Sequence, residues 1–239
     1  KNQLFYSRYS FELYSNFTFF KEDPVNGDQI RQKEARNILG YNLSFQQDNA
    51  IGKKKGQFST GFQLRYDDIN NIELTRTKNR TLTTQQIMLG DINEFNAGFY
   101  SQEKVVLNRK WDITAGFRLD YFTNNYNDKL SSVIQSSNSA IVSPKLNINY
   151  RMNDNVQLYW YTGQGFHSND TRVAVVQNGR DVVTPAWGSD LGGIFKIGKK
   201  AMLQTAVWYL WLKQEFVYVG DEGVVEPGGK TQRIGWDIS

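Results

Sequence analysis

His167 is the only histidine among the 239 residues, and it lies inside Gly-Gln-Gly-Phe-His-Ser-Asn-Asp-Thr-Arg, residues 163–172. Histidine beside Ser168 and Asp170 supplies the residue types of nucleophilic catalysis. The spacing does not suit it. A working triad is gathered from distant parts of a fold around an oxyanion hole, and near neighbours in sequence cannot easily take up that geometry. Metal binding fares no better, because zinc and copper sites need several nitrogen or sulfur ligands, and the chain has no cysteine. The same absence excludes disulfides. Two acidic groups remain, Glu22, Asp23 and Asp28, and Asp221, Glu222 and Glu226. Neither has the spacing of a calcium-binding loop, so both read as solvated loop charge. For Phe166, His167, Ser168, Asn169 and Asp170 the local reading is a strand end. Asn169 and Asp170 bond to nearby backbone and fix a turn, Phe166 packs, and His167 donates locally.

The elements that must carry this segment are strands. Phe58, Thr60, Phe62, Leu64 and Tyr66 alternate with Gln57, Ser59, Gly61, Gln63 and Arg65. Trp111, Ile113, Ala115, Phe117, Leu119 and Tyr121 alternate with Asp112, Thr114, Gly116, Arg118 and Asp120. A period of two with one apolar face is the mark of a strand between two environments. The pattern recurs from residue 5 to 19, where the odd positions Phe5, Tyr9, Phe11, Leu13, Phe17 and Phe19 form the apolar face. It recurs again through residues 39–45, 95–107, 142–150, 191–197, 203–211 and 234–238. Residues 156–165 are harder to phase, because Tyr159, Trp160 and Tyr161 put aromatics on both faces. About ten strands result, with no convincing helix. The fold class is all-β.

Long polar connections fall near 21–37, 68–91, 123–139, 167–186 and 220–232. They take turns with short ones near 49–55, 108–110, 151–155 and 198–200. Regular alternation of this kind is the habit of outer-membrane barrels. Mean hydropathy is −0.57, but alternating membrane strands average low as well. No apolar run is long enough for a membrane-spanning helix. The short turns hold Lys53, Lys54, Lys55, Arg109, Lys110, Arg151, Lys199 and Lys200 against Asp154, so that end carries +7 and the rest of the chain −3. Two readings stand. Lysine and arginine suit tight turns and discourage edge pairing, or this end faces phospholipid headgroups. The net charge of +4 is too modest to imply nucleic acid. Arg8, Glu12, Gln63, Arg65, Asp112, Arg118, Asp120 and Asp190 fall opposite the apolar row and would line a wet interior. Phe19, Phe20, Trp111, Tyr121, Trp187, Trp208 and Trp211 lie near strand ends, as interfacial girdles do.

From Tyr161 onward the chain resembles the TonB-dependent outer-membrane receptors. The likeness rests on residues 163–172, on Val-Thr-Pro-Ala-Trp-Gly-Ser-Asp-Leu-Gly-Gly-Ile-Phe at 183–195, and on residues 206–239 with their Val-Gly-Asp-Glu-Gly and Glu-Pro-Gly-Gly segments. Residues 94–122 are a looser barrel hairpin of the same kind. Two departures stand out: Thr171 occupies the place where the family pattern often continues with alanine, and Ala186 the place where an arginine commonly follows the proline.

The resemblance implies an antiparallel transmembrane β-barrel of 22 strands, of which residues 1–239 form about ten, and an N-terminal plug domain that this chain does not contain. It implies energy-coupled uptake, in a Gram-negative outer membrane, of a scarce solute such as a ferric siderophore or other metal complex. The implied partners are outer-membrane lipid, the TonB complex acting through the plug, and a small-molecule or metal-chelate substrate. No cofactor is implied and no enzymatic activity. Phe166, His167, Ser168, Asn169, Asp170 and Arg172 would border the outer vestibule. The alternatives are a self-contained ten-strand outer-membrane enzyme or porin, and a soluble β-sheet binding module.

Overall fold

Backbone groups in a strand find their partners in neighbouring strands, and here each strand finds them in the next one along the chain. The computed structural model describes residues 1–168, 171, 175, 183–219 and 224–239, with backbone alone for 216–219 and 224–227. The strands are β1 (Asn2–Ser15), β2 (Ile30–Ile51), β3 (Lys54–Lys78), β4 (Leu82–Val106), β5 (Trp111–Asp128), β6 (Val133–Arg151), β7 (Val156–Ser168), β8 (Val183–Ile197), β9 (Ala201–Leu212), β10 (Phe216–Val219), β11 (Val224–Pro227) and β12 (Thr231–Ile238). Ten of them form one antiparallel meander in the order β1 to β9, then β12, while β10 and β11 make a separate hairpin. Among the described residues β1 and β12 each pair on one side only.

Residues paired in register share a face, so one face can be traced across the sheet. The row runs Tyr6, Leu39, Tyr66 and Phe95, and further on Leu119, Val142, then Trp160, Leu191, Val207 and Trp236. No Asp, Glu, Lys or Arg interrupts this face between Leu39 and Phe45, Phe58 and Tyr66, Phe95 and Ser101, Trp111 and Tyr121, Ala140 and Tyr150, Trp187 and Phe195, or Leu203 and Trp211. The sequence-based phase of β1 is reversed. Leu4 and Tyr6 join the apolar row opposite Tyr41 and Leu39, while Phe5 lies on the polar face against Gly40. Arg8 and Glu12 therefore share the face of Tyr6, above the uncharged band, and do not line the interior. Trp208 falls on the polar face opposite Asp190 and Gly235. Phe19 and Phe20 sit in the 16–29 connection. Neither belongs to a girdle, whereas Trp111, Tyr121, Trp187 and Trp211 keep the apolar face. The ambiguous strand resolves with Trp160 on the apolar face and Tyr159 stacked on Tyr161 at 4.6 Å on the other.

Two of the expected long connections are strand. β3 and β4 pair out to Lys78 and Leu82, and β5 and β6 out to Asp128 and Val133, leaving tight turns at 79–81 and 129–132. A strand of 25 residues extends about 80 Å, while crossing a bilayer takes about 9–11 residues. The extension carries its own core of Ile69, Ile72, Ile92 and Tyr126. A bulge between Ile69 and Ile72 makes that core, because one extra residue turns both isoleucines to the same face. Asn71 takes a φ of 51° there, and its N–H donates to Asp91 at 2.8 Å.

The polar face has a recurrent packing device. The rings of Phe5, Tyr100, Tyr126, Tyr159 and Trp208 lie across Gly40, Gly61, Gly90, Gly192 and Gly235 of a neighbouring strand. An added Cβ would stand 2.1–2.5 Å from a ring atom in each case. Only a residue without a side chain lets the aromatic lie flat.

The 16–29 connection folds down on the end of β3. Thr77 and Arg80 donate backbone N–H groups to Gln29, and Arg76 lies 3.7 Å from Asp28. Asp28 is buried and not solvated as its place in a polar loop suggests. Burial pushes its carboxyl upward, but N–H groups of Glu22, Asp23 and Lys21 and the Thr18 hydroxyl outweigh this and hold it down to about 2. A depressed carboxylate contributes fully above its ordinary value near 4 and loses that contribution as pH falls through its folded value. The connection accordingly becomes open to pepsin as pH drops from about 4 to about 2. Asp28→Asn exposes it to protease already at neutral pH. Unchanged cleavage in the variant would show that other contacts hold the segment.

Candidate functional site

Phe166, His167 and Ser168 end β7, in register with Pro185, Thr184 and Val183 of β8. Asn169, Asp170 and Arg172 lie outside the described residues. His167 and Ser168 are exposed. Among the described residues no group of three or more His, Asp or Glu side chains is placed to hold a metal ion. The acids Asp221 and Glu222 are outside the described residues, and for Glu226 only backbone is described.

The end of β7 matters for where it goes. β7 pairs with β6 only as far as Gly163 opposite Lys145, although it continues with β8 to Ser168. Freed from β6, the upper arm of β7 and β8 crosses the polar face. Phe166 meets Phe122 edge-on at 5.4 Å, and Val183 and Ile141 complete this small core. Gln164 spans the gap, its amide donating to the carbonyl of Val142 at 3.0 Å. Beyond the arm, Thr171 is 1% exposed. Its hydroxyl lies 2.6 Å from a Glu94 carboxylate oxygen and 3.2 Å from the side-chain amide of Asn124. One hydroxyl proton serves Glu94. With its amide turned so that nitrogen faces Thr171, Asn124 donates back and its buried NH2 group is satisfied. Thr171 is one of the two departures noted from the sequence, and an alanine there could make neither bond.

Below the arm, the polar face holds a recess of about 320 Å³ bordered by Tyr100, Gln102, Arg118, Ser143, Lys145 and Phe166. Arg118 is fixed there. Its Nε and Nη2 donate to Asp120 at 2.7–2.9 Å, and Nη1 donates to Gln63 at 2.8 Å. Asp120 is fully buried. Gly98 makes room, since a Cβ on it would stand 2.2 Å from the guanidinium. Further along the same face Arg65 chelates Asp67 at 2.6 and 2.8 Å, Arg36 approaches Asp67 at 3.4 Å, and Tyr9 donates to Glu34 at 2.7 Å. Sequence alternation marks Arg65, Arg118 and Asp120 as polar-face residues. It gives no sign of Glu94, Asn124 or Phe122 as partners of the 166–171 segment, because they lie 44–77 residues away.

The other face is the opposite in character. Phe117 is 47% exposed, Leu191 65% and Trp236 67%. A soluble monomer rarely leaves a contiguous apolar surface of this extent open to water. From Trp111 to Tyr121 the band measures about 33 Å along the strand, and roughly 25 Å in height at the usual barrel tilt. That is the apolar height of an outer-membrane barrel.

The family described as TonB dependent receptor-like, beta-barrel matches residues 1–233. The chain belongs to the TonB-dependent receptor barrel family. Receptors of this family are transporters of the Gram-negative outer membrane and not enzymes. Solved structures share the fold at low identity. The ferric citrate transporter FecA in its unliganded form superposes with a TM-score of 0.80 at 16% identity, over 99% of this chain and 35% of FecA. The copper transporter OprC gives 0.73 at 13%, over 99% and 39%. The ferric yersiniabactin uptake receptor FyuA from Yersinia pestis gives 0.67 at 16%, over 99% and 36%. The receptor-barrel chain thus spans somewhat over a third of each of these proteins. No curated protein matches it. Within the family fold, the uncharged band is the outer surface of a barrel wall and the Arg118–Asp120 face its inner surface.

Proposed function

We propose that residues 1–239 are a barrel segment of a receptor that takes up a scarce metal-bearing solute, such as a ferric siderophore, across the outer membrane of a Gram-negative bacterium. The single observation that carries this reading is the two-faced wall: an uninterrupted uncharged band about 25 Å high on one side and a charged, hydrogen-bonded lining on the other. In this reading the remaining strands of a 22-strand barrel and a plug domain complete the protein. The TonB complex pulls on the plug, and the barrel contains the path. The loop end faces outward and the short turns face the periplasm. Phe166, His167, Ser168, Asn169, Asp170 and Arg172 border the outer vestibule. The inward course of Phe166 supports this. FecA is a ferric citrate transporter, FyuA a ferric yersiniabactin uptake receptor and OprC a copper transporter, so a metal cargo is what they share.

Deleting the gene and following radiolabelled metal tests the reading. Uptake of one chelate, from a panel of ferric siderophores, ferric citrate and copper, should be lost. The intact gene should restore it, and collapse of the inner-membrane proton gradient should abolish it. Uptake of every chelate at the wild-type rate in the deletion strain would remove the proposal.

A further inference from the structure

We propose that the turn end of the sheet binds the anionic phospholipid headgroups of the periplasmic leaflet. The inference rests on the membrane reading above and adds a specific partner to it. Lys53, Lys54, Lys55, Arg109, Lys110, Arg151, Lys199 and Lys200 are all exposed. The turns that carry them join β2 to β3, β4 to β5, β6 to β7 and β8 to β9, and all four lie at one end of the meander. Among the described residues none of these eight side chains is in an ion pair.

The nearby acids are otherwise engaged. Asp48 accepts from Gln57 at 2.9 Å, Glu103 from Asn49 at 3.2 Å, and Asp112 from Asn149 at 2.9 Å with Lys104 at 3.7 Å. Only Asp154 shares the turns. The four turns carry a net +7, and with Asp48, Glu103, Asp112 and Lys104 counted in, the end remains at +5.

The level of the cations is set by their neighbours. Trp111 and Tyr150 pair at 4.5 Å on the apolar face, at the last row of the uncharged band. Such rings settle at the hydrocarbon boundary. Lys110, Arg109 and Arg151 follow within one or two residues, about 3–7 Å further on, which is the depth of lipid phosphates. Ile51 and Ile197 are 47% and 59% exposed beside Lys54 and Lys199. They offer aliphatic feet along which lysine stems can lie while the ammonium reaches a headgroup. Deterrence of edge pairing does not account for the charge. The strands joined by these turns are interior to the sheet, and its edges are β1 and β12.

The test uses the full-length protein in phosphatidylcholine bilayers with trace spin-labelled phosphatidylglycerol or phosphatidylethanolamine. The fraction of each label immobilised at the protein is read by electron paramagnetic resonance. At low salt phosphatidylglycerol should be favoured severalfold, on the order of tenfold at most, and molar salt should erase the preference. Lys53→Gln, Lys54→Gln and Lys55→Gln combined with Arg109→Gln and Lys110→Gln should bring the two labels to parity. If that variant does not fold, Lys199→Gln with Lys200→Gln and the salt titration of the wild type carry the test. Equal immobilisation of both labels by protein that is inserted and heat-modifiable would overturn the proposal while leaving the barrel reading intact. So would retention on peptidoglycan sacculi, lost in the variant, with unselective lipid contact, which would assign the cations to the cell wall.

Discussion

Phe117→Arg lowers the stability of the folded barrel by about 2–4 kcal/mol. Phe117 stands midway along the Trp111–Tyr121 row, 47% exposed, with Phe99 as a ring partner at 6.1 Å. In water such an exposed site would accept arginine at little cost. In hydrocarbon the guanidinium has no solvent, and mid-band depth makes snorkelling to either interface hardest. Ser59→Arg is the control, since Ser59 is on the polar face and pairs with Gln46 and Gln102. It should change stability by less than about 1 kcal/mol. Urea unfolding in lipid vesicles measures both. Equal small effects at the two positions would mean that the apolar face does not meet lipid.

Asp120→Ala costs about 2–4 kcal/mol. The residue is fully buried, and among the described residues it is the only carboxylate bonded to Arg118. Removing it leaves the guanidinium with Gln63 alone in a site too enclosed for full hydration. The cost of an orphaned charge exceeds the net value of the pair. Arg118→Met in the Asp120→Ala background should therefore recover most of the loss, because an apolar replacement removes both polar partners together. A double-mutant cycle with a coupling below about 0.5 kcal/mol would show that the two side chains are adjacent without supporting one another.

Legibility from sequence followed physical contrast. β3 and β5 were readable because Phe62, Leu64, Phe117 and Leu119 alternate with Gln63, Arg65, Arg118 and Asp120, and each parity has one environment. β1 was not, since Leu4 and Tyr6 compete with Phe5, Tyr9 and Phe11. What decides its phase is the register with Leu39 and Tyr41, which no local pattern contains. Residues 68–91 and 123–139 looked like loops because they are polar. Their apolar residues are few, and the bulge after Ile69 breaks the period of two, so the core of Ile69, Ile72, Ile92 and Tyr126 leaves no regular alternation to read. The candidate site was half readable. Phe166 to Ser168 stand out as a motif, but their course depends on β7 leaving β6 at Gly163 and on Phe122, Glu94 and Asn124 waiting on distant strands. The family departure at Thr171 was visible in the sequence, and its meaning appears only beside Glu94.

The flat rings over Gly40, Gly61 and Gly192 keep the polar face of the sheet shallow. An aromatic that lies along the sheet ties neighbouring strands together without standing out from their surface. A methyl group on Gly61 or Gly192 would stand 2.3 or 2.5 Å from the ring of Tyr100 or Tyr159 and 2.7 or 2.6 Å from the backbone carbonyl of Leu43 or Thr205, so the neighbouring strand would have to shift as well as the ring.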